Sequence, residues 1–550
     1  LSRDPLLRSA ETNLRRATRS STHFCPSTHP TVVVAARFRR EEHEREREMG
    51  MGRRTTLLLP VAALFTFLCC AHVARAQVPI PSRFDGFVYG VGAPSRWDSI
   101  VVDAFFDPLC PDSKDAWPDL RRAVEHYSPR VSLTVHPFAL PYHDNSFVAC
   151  RALHIADKLN ASATYPLLEL FFKYQDRYYN RPTRELSRAS IVGKIAKLAA
   201  KAIGHNSSAI ESGFEDLSTG MATRISFKYA CSRGVIGTPS FFVNGFPLPD
   251  GGSAIDYHKW KSIIDPLLKN DLSPDGFPNP RYSIRFNTEL IPVLAVDGGL
   301  KKKALRGWKE DEMEIMGKTG AVPSLRSALL FLALSCCCFH LGAAQVPIPA
   351  KYDGFVYQVG APPGEGSVVV EAFFDPLCPD SRDAWPPLRR VIHEYSPRVF
   401  LVVHPFPLPY HDNSFFSCRA LHIANKLNKS TTYPLLEIFF KYQEKLYNSP
   451  THKMSRESVI QHVVDLAVEA VGNSSRSALE NGFEDRRSDM AARISFKYGC
   501  SRGVVGTPFF FVNGFPLPDA GDALDYGQWR GIIDPLLSEN SRVREIHPSM

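Results

Sequence analysis

Runs of apolar residues along residues 99–270 predict a mixed arrangement of strands and helices. The run Ser99–Asp107 is continuous and rich in Val and Phe, which is typical of a buried central strand. A helix is expected from Pro111 onward, because proline suits a first helical turn. Its buried face is predicted from four apolar residues at helical spacing: Trp117, Leu120, Val124 and Tyr127.

The following segments predict the rest of one domain. Strands are expected at Arg130–Phe138 and at Ser240–Asn244, where Asn-Gly indicates a hairpin turn. A closing helix is expected at Ala254–Leu268. The helical segments between the two strands are Asn145–Asn160, Tyr165–Tyr179, Arg188–Ile203 and Ser208–Tyr229. This order predicts an α/β sheet with a helical insertion.

The whole pattern occurs a second time. Ala104–Ser113 recurs as Ala372–Ser381, and Gly237–Pro239 recurs as Gly506–Pro508. Equivalent cysteines lie 268 residues apart at the first two positions and 269 residues apart at the third. A repeat this long indicates tandem domains rather than a solenoid. We place the two domains at residues 77–270 and 345–540.

Two segments precede the first domain. Residues 1–48 are rich in Arg and Ser, which predicts a disordered leader or translated upstream sequence, with a transit peptide as the alternative. Residues 49–76 combine a basic start, a short apolar run and the small-residue end Ala74–Ala76, the three parts of a secretory signal peptide. The apolar run contains Pro60 and is short for a membrane span, so that secretion is expected.

A second signal-like segment precedes the second domain. Residues 316–344 again combine a basic start, an apolar run and a small-residue end. Residues 271–315 show neither helical nor strand periodicity and are interpreted as linker or spacer. We favour the hypothesis that two neighbouring tandem genes have been read as one polypeptide. An internal membrane anchor is the alternative, although the short run predicts no stable membrane span.

The charge distribution argues against a nucleic-acid partner. Of the formal net charge of +8, +5 lies within residues 1–54, outside both domains. The domains are therefore nearly neutral and lack a basic stripe for phosphate.

Glycosylation sequons occur at matched places in the two copies. They begin at Asn160, Asn206, Asn428 and Asn473. Together with the signal peptide, they predict a secreted glycoprotein or a protein of the secretory-pathway lumen, either in the endoplasmic reticulum or outside the cell.

The sequence around Cys110, at the junction of a strand and a helix, resembles the thioredoxin fold. The Gly-Thr-Pro239 segment before a hairpin adds to this resemblance, and the helical block is similar to that of the DsbA-like branch. The resemblance covers about residues 83–270 and 351–538. It implies an α/β, thioredoxin-like fold with a helical insertion, duplicated.

The resemblance also implies roles for six candidate catalytic residues. Cys110 and Cys378 correspond to the nucleophilic cysteine, and Pro239 and Pro508 to a cis-proline that faces the sulfur. Ser113 and Ser381 occupy the position of the resolving cysteine, which is a departure from the family pattern. A serine there argues against dithiol oxidase or reductase chemistry, because no second thiolate can expel the substrate.

The local sequence predicts a moderately acidified thiol at Cys110. A helix start stabilises a thiolate, and the hydroxyl of Ser113 is placed to donate a hydrogen bond to the sulfur. Asp112 acts in the opposite direction, because its carboxylate disfavours a second negative charge. A Cys-x-x-Ser motif, in which a cysteine is followed three residues later by serine, suits isomerisation, glutathione-dependent exchange or capture of client thiols.

Each mature copy has three cysteines, which leaves one unpaired within a copy. Cys150 and Cys231 flank the helical block, so a disulfide between them, and equally between Cys418 and Cys500, is the favoured pairing. The alternative is that Cys150 or Cys231 resolves a mixed disulfide formed at Cys110.

Other motifs predict less. His143 and Asp144 either line the active-site groove or form a turn before a helix capped by Asn145 or Ser146, and we favour the cap. The histidines lack metal-ligand spacing, and no phosphate loop or dinucleotide fingerprint is present, so neither a metal nor a cofactor is expected.

Two functions remain open from the sequence. The first is a monothiol thiol–disulfide oxidoreductase or isomerase that acts on protein thiols or disulfides, with glutathione as a candidate partner. The second is a non-catalytic thioredoxin-like domain that binds peptides or serves as an adaptor.

Overall fold

The computed structural model describes residues 85–90, 99–204, 206–249, 252–269, 353–357, 367–518 and 522–546. The predicted leader, both signal-like segments and the spacer lie outside these residues. Within the part of the chain that is described, none of the helices combines the length and apolar character needed to cross a bilayer.

The first domain is a five-stranded sheet covered by helices. Its strands are β1 (Phe87–Val88), β2 (Ile100–Phe106), β3 (Val131–Pro137), β4 (Ser240–Val243) and β5 (Phe246–Pro247). Its α-helices are α1 (Pro111–Tyr127), α2 (Ser146–Asn160), α3 (Thr164–Tyr174), α4 (Arg188–Ile203), α5 (Ser207–Glu215), α6 (Leu217–Ser232) and α7 (Tyr257–Lys269). Short 3-10 turns lie at Ala161–Ala163 and Gln175–Tyr178.

The second domain repeats this order. Its strands are β6 (Phe355–Tyr357), β7 (Val368–Phe374), β8 (Val399–Pro405), β9 (Phe509–Val512) and β10 (Phe515–Pro516). Its α-helices are α8 (Pro379–Tyr395), α9 (Ser414–Leu427), α10 (Thr432–Tyr442), α11 (Asn448–Thr451), α12 (Arg456–Val471), α13 (Arg476–Glu484), α14 (Arg486–Ser501) and α15 (Tyr526–Ile546). Its 3-10 turns are Lys429–Thr431, Gln443–Leu446 and Asn473–Ser475.

The two sheets have the same topology. The strand order is β1-β3-β2-β4-β5 in the first and β6-β8-β7-β9-β10 in the second. The central strands β2 and β3 are parallel, whereas β4 pairs antiparallel to β2. The parallel pair needs a crossover, which α1 supplies, and the helical block α2–α6 separates β3 from β4. The predicted fold class, a duplicated α/β thioredoxin-like fold with a helical insertion, is confirmed.

One predicted helix divides in two. The sequence predicts a single helix over Ser208–Tyr229, but the structure ends α5 at Glu215 and begins α6 at Leu217. Asp216 lies between them in an extended conformation, and its side chain accepts a hydrogen bond from the N–H of Ser218. An aspartate in this geometry is an N-cap, which starts a new helix.

The two domains share an aromatic cluster in addition to their separate cores. Its first-domain members include Phe138, Tyr142 and Phe227, and its second-domain members include Phe406, Tyr410 and Phe496. Burial of these rings against one another removes apolar surface from water and holds the domains together.

Candidate functional site

Cys110 lies between the end of β2 and the start of α1. Cys110 is the N-cap residue of α1, with Pro111 in the first turn. Its side chain is 3% exposed, and its Sγ donates to the backbone carbonyl oxygen of Thr238 at 3.4 Å. In the second domain, Cys378 is 4% exposed and donates to Thr507 O at 3.3 Å.

The loop opposite the sulfur contains the predicted cis-prolines. The peptide bonds Thr238–Pro239 and Thr507–Pro508 are both cis. Because β4 begins one residue after Pro239 and pairs with β2, the sheet brings this loop to the end of β2, next to Cys110. The structure therefore places the predicted cysteine and proline segments together in both domains.

Ser113 lies in the first turn of α1 and is fully buried. The sequence suggests that its hydroxyl donates to the Cys110 sulfur. In the structure the Ser113 Oγ instead accepts from the backbone N–H of Asp107 at 3.3 Å, and the hydrogen bond to the sulfur comes from the backbone of Ser113. Ser381 repeats the first contact with Asp375 at 3.4 Å.

Asp107 is a site residue that the sequence analysis missed. Its side chain is completely buried. One carboxylate oxygen, Oδ1, accepts from Leu109 N at 2.8 Å, and the other, Oδ2, accepts from Leu140 N at 3.4 Å and contacts His143 Nδ1 at 2.7 Å. The position of Asp107 at the end of a buried apolar strand is the sequence signal for this role.

The pKa of the Cys110 thiol is raised from its ordinary value, chiefly by burial and then by the nearby negative charge of Asp107. The pKa of Cys378 is raised for the same two reasons, with Asp375 in the corresponding position. The expectation of a moderately acidified thiol was therefore wrong, because the helix-start argument omitted both burial and the buried carboxylate.

The side chain of His143 contacts Asp107, and its backbone forms the predicted turn before α2, in which its carbonyl accepts from the N–H of Ser146 at 2.8 Å. Asn145 does occupy the N-cap position of α2, but its side chain makes no capping hydrogen bond. Its amide group donates to Tyr178 O and Thr183 Oγ1, and its oxygen accepts from Arg188. The favoured capping role was therefore wrong for Asn145, because contacts from the helical block occupy its side chain.

Gln175, which the sequence analysis did not single out, holds the active-site loop. Its buried amide nitrogen donates to the carbonyl oxygens of Pro108 and Cys110, each at 3.2 Å. The hydroxyl of Tyr179 donates to its oxygen at 2.8 Å. Gln443 makes the same bonds to Pro376 and Cys378. The helical insertion thereby fixes the backbone that carries the cysteine.

The other cysteines among the described residues are buried thiols. Cys150 lies 4.0 Å from Ser146 Oγ, and Cys418 makes the same contact with Ser414. The expected disulfides, Cys150 with Cys231 and Cys418 with Cys500, are not formed in the structure, where all of these cysteines are free. Cys231 instead faces Cys500 of the other domain.

The four sequon asparagines are all exposed: Asn160, Asn206, Asn428 and Asn473. Their glycosylation stays a prediction. Among the described residues, no group of three or more His, Cys, Asp or Glu side chains is arranged to hold a metal ion.

Two family matches cover the domains. Residues 101–259 match the family described as the DSBA-like thioredoxin domain, and residues 359–535 match the family described as thioredoxin. No curated protein matches the chain in sequence.

Solved structures of low identity are similar to parts of the chain. A thioredoxin-like oxidoreductase from Silicibacter pomeroyi DSS-3 is 18% identical, with 34% of this chain and 92% of that chain covered and a TM-score of 0.27. BdbD from Bacillus subtilis is 16% identical, with coverages of 34% and 93% and a TM-score of 0.28. The catalytic domain of Proteus mirabilis ScsC is 18% identical, with coverages of 36% and 96% and a TM-score of 0.24.

One conclusion follows from the duplicated sheet, the paired cysteine and cis-proline segments and the two family matches. The chain carries two thioredoxin-like domains in tandem, of which the first matches the DsbA-like family and the second the thioredoxin family.

Proposed function

We propose that each domain is a monothiol thiol–disulfide exchange protein that acts on protein thiols or disulfides in the secretory-pathway lumen. The observation that carries this proposal is the contact between a cysteine sulfur and the carbonyl of the cis-proline loop, Cys110 with Thr238 and Cys378 with Thr507. A thiol placed between a helix start and an extended loop is positioned to form a mixed disulfide with a client chain lying along that loop.

The exchange has two steps. The Cys110 thiolate attacks one sulfur of a client disulfide, a new S–S bond forms, and the other client sulfur leaves as a thiolate. A second thiolate, from the client or from glutathione, then attacks the mixed disulfide and releases Cys110. When the client supplies that thiolate, its disulfides are rearranged with no net oxidation.

Ser113 supports the monothiol assignment. Its hydroxyl cannot act as the resolving thiolate, and the oxygen is already engaged by the N–H of Asp107. The secretory location is supported by the signal-peptide pattern at residues 49–76 and by the exposure of the sequon asparagines.

A second candidate function is supported by the burial and the raised pKa of the Cys110 thiol. Cys110 is 3% exposed and the pKa of its thiol is raised, and both features slow a nucleophilic cysteine. A domain that binds peptides beside the cis-proline loop without covalent chemistry fits these features.

A trapping experiment with the full chain separates the two functions. Client proteins with scrambled disulfides are mixed with wild type, with a Cys110→Ser/Cys378→Ser variant and with a Cys150→Ser control, and adducts are quenched with acid. We expect adducts with wild type and the control and none with the double variant. Equal adducts in all three samples, or none in any, would refute the exchange function.

A further inference from the structure

The contact between the two domains is reciprocal. Tyr142 packs edge-on against Phe496 at 6.1 Å between ring centroids, and Tyr410 packs edge-on against Phe227, also at 6.1 Å. These four residues are two pairs of repeat-equivalent positions. Each domain therefore offers the other the same surface, the arrangement found across a two-fold axis.

Two cation–π contacts between the domains also join repeat-equivalent residues in both directions. The guanidinium of Arg493 lies 4.3 Å from the ring centroid of Tyr142, and that of Arg224 lies 4.6 Å from the ring centroid of Tyr410. At a two-fold relationship of this kind, a residue near the axis meets its own equivalent in the other domain.

Cys231 and Cys500 are such a pair. They are repeat-equivalent, they lie in the last turns of helices α6 and α14, and their sulfurs are 3.6 Å apart. Both are completely buried, and Cα atoms of the two helices come within 8 Å of each other. We propose that Cys231 and Cys500 form an interdomain disulfide that locks the two thioredoxin-like domains together.

The proposal accounts for the odd number of cysteines in each copy. Cys110 faces the cis-proline loop, and Cys150 lies beside Ser146. Among the described cysteines, only the third position has another cysteine across from it, and that cysteine belongs to the other domain. Three cysteines cannot all pair within one copy. The two copies together have six, an even number, so the cysteine left over in one copy can pair with its equivalent in the other.

The bond forms by two exchange steps with a small disulfide such as oxidised glutathione as oxidant. The Cys231 thiolate attacks the glutathione disulfide, forms a mixed disulfide and releases one glutathione thiolate. The Cys500 thiolate then attacks the Cys231 sulfur and releases the second glutathione. Two thiols lose two electrons and two protons in total, and one glutathione disulfide becomes two thiols.

The order of events follows from burial. Neither sulfur is reachable once the aromatic cluster has closed, because both cysteines are completely buried. The mixed disulfide therefore forms while the domain faces are still apart, and the second step accompanies their association.

The bridge also fixes residues near each thiol site. Lys497 Nζ lies 3.9 Å from the position that a Cβ on Gly237 would occupy, and Lys228 Nζ lies 3.9 Å from the corresponding position on Gly506. Both glycines precede the Thr–cis-Pro loops. The disulfide thus holds a lysine of one domain beside the cis-proline loop of the other.

Peptide mapping of the full chain tests the bridge without any variant. After the reduced, denatured chain is refolded with oxidised glutathione and its free thiols are blocked with N-ethylmaleimide under denaturing conditions, trypsin releases Cys231 in Tyr229–Arg233 and Cys500 in Tyr498–Arg502. We expect these two peptides to be recovered mainly as one disulfide-linked pair. Recovery of both as alkylated peptides, or a link from Cys231 to Cys110 or Cys150, would overturn the proposal.

Variants give an independent readout by non-reducing electrophoresis. A bridge between positions 269 residues apart makes the denatured chain more compact and faster-migrating. We expect the fast band in wild type and in the Cys150→Ser control, and its loss in Cys231→Ala and in Cys500→Ala. A fast band that survives either alanine variant would contradict this bridge, and a tryptic link between two Tyr229–Arg233 peptides would place the contact between separate chains.

Discussion

The buried carboxylate of Asp107 holds the imidazole of His143 through a contact of 2.7 Å between Oδ2 and Nδ1. Asp375 and His411 repeat the contact at 2.7 Å. The same carboxylate raises the pKa of the neighbouring cysteine in each domain. In each domain, one buried aspartate therefore both contacts a partly exposed histidine and raises the pKa of the active-site cysteine.

Replacing Asp107 with Asn is expected to lower the pKa of Cys110, because the amide removes a nearby negative charge and keeps an acceptor oxygen. The pH dependence of Cys110 alkylation measures this change. Asp112→Asn is the matched control, since Asp112 is exposed and contributes less to the pKa. An alkylation midpoint that stays in place in Asp107→Asn would show that the carboxylate does not control the thiol.

Replacing Ser113 with Cys is expected to convert the first domain into a dithiol site. The new thiol would stand three residues after Cys110, where it can resolve a mixed disulfide, so disulfide-reductase activity on insulin should rise by about tenfold or more. Ser113→Ala is the control, because it removes the hydroxyl without supplying a thiol. Equal activities of the two variants would mean that position 113 cannot reach the Cys110 sulfur.

Two glycines in helices of the first domain are expected to respond in opposite directions to alanine. A Cβ on Gly213 would lie 2.6 Å from Cγ2 of buried Ile155, so Gly213→Ala should lower the free energy of unfolding by about 1–3 kcal/mol. A Cβ on Gly193 meets nothing within 4 Å, so Gly193→Ala should raise it by about 0.5–1 kcal/mol. Urea unfolding followed by circular dichroism tests the pair, and two changes of the same sign would contradict the packing argument.

Glu371 is expected to make the second domain sensitive to acid. Burial alone would raise the pKa of its carboxyl, but the contact with His404, 3.4 Å from Nε2 to Oε1, and the charge of Arg502 lower it from 4.5 to about 2. A carboxyl whose pKa is lower in the folded state stabilises the fold above its unfolded pKa. That contribution, about 3 kcal/mol at most, is lost as the pH falls from about 4.5 towards 2.

The Glu371→Gln variant should therefore be less stable than wild type at pH 7, and the difference should shrink as the pH approaches 2. Urea unfolding at a series of pH values measures it. Glu480→Gln, in which a partly exposed glutamate is changed, serves as the control. A constant difference between wild type and Glu371→Gln at all pH values would argue against the lowered pKa.

The elements with strong local patterns could be predicted from the sequence. The helix expected at Arg188–Ile203 has those bounds in the structure, and the strand expected at Ser99–Asp107 spans Ile100–Phe106. The cysteine and cis-proline segments were also placed correctly next to each other. Periodicity and resemblance suffice for features that depend on neighbours in the chain.

Features that depend on residues far away in the sequence could not be predicted from it. Gln175 acts on the carbonyl of Cys110, 65 residues away, and nothing in its local sequence marks it. The raised pKa of Cys110 depends on how deeply the tertiary fold buries the sulfur. The neighbour of Cys231 could not be found from one copy at all, because that neighbour is supplied by the second domain.

The reciprocity of the domain interface has a consequence for assembly. Tyr142, Phe227 and Arg224 contact the equivalents of one another in the second domain, so either face is self-complementary. A chain that carried only one of these domains would keep every group needed to bind a copy of itself. Closed homodimers, with an intermolecular cysteine pair at their centre, are therefore the assembly expected of such single-domain chains.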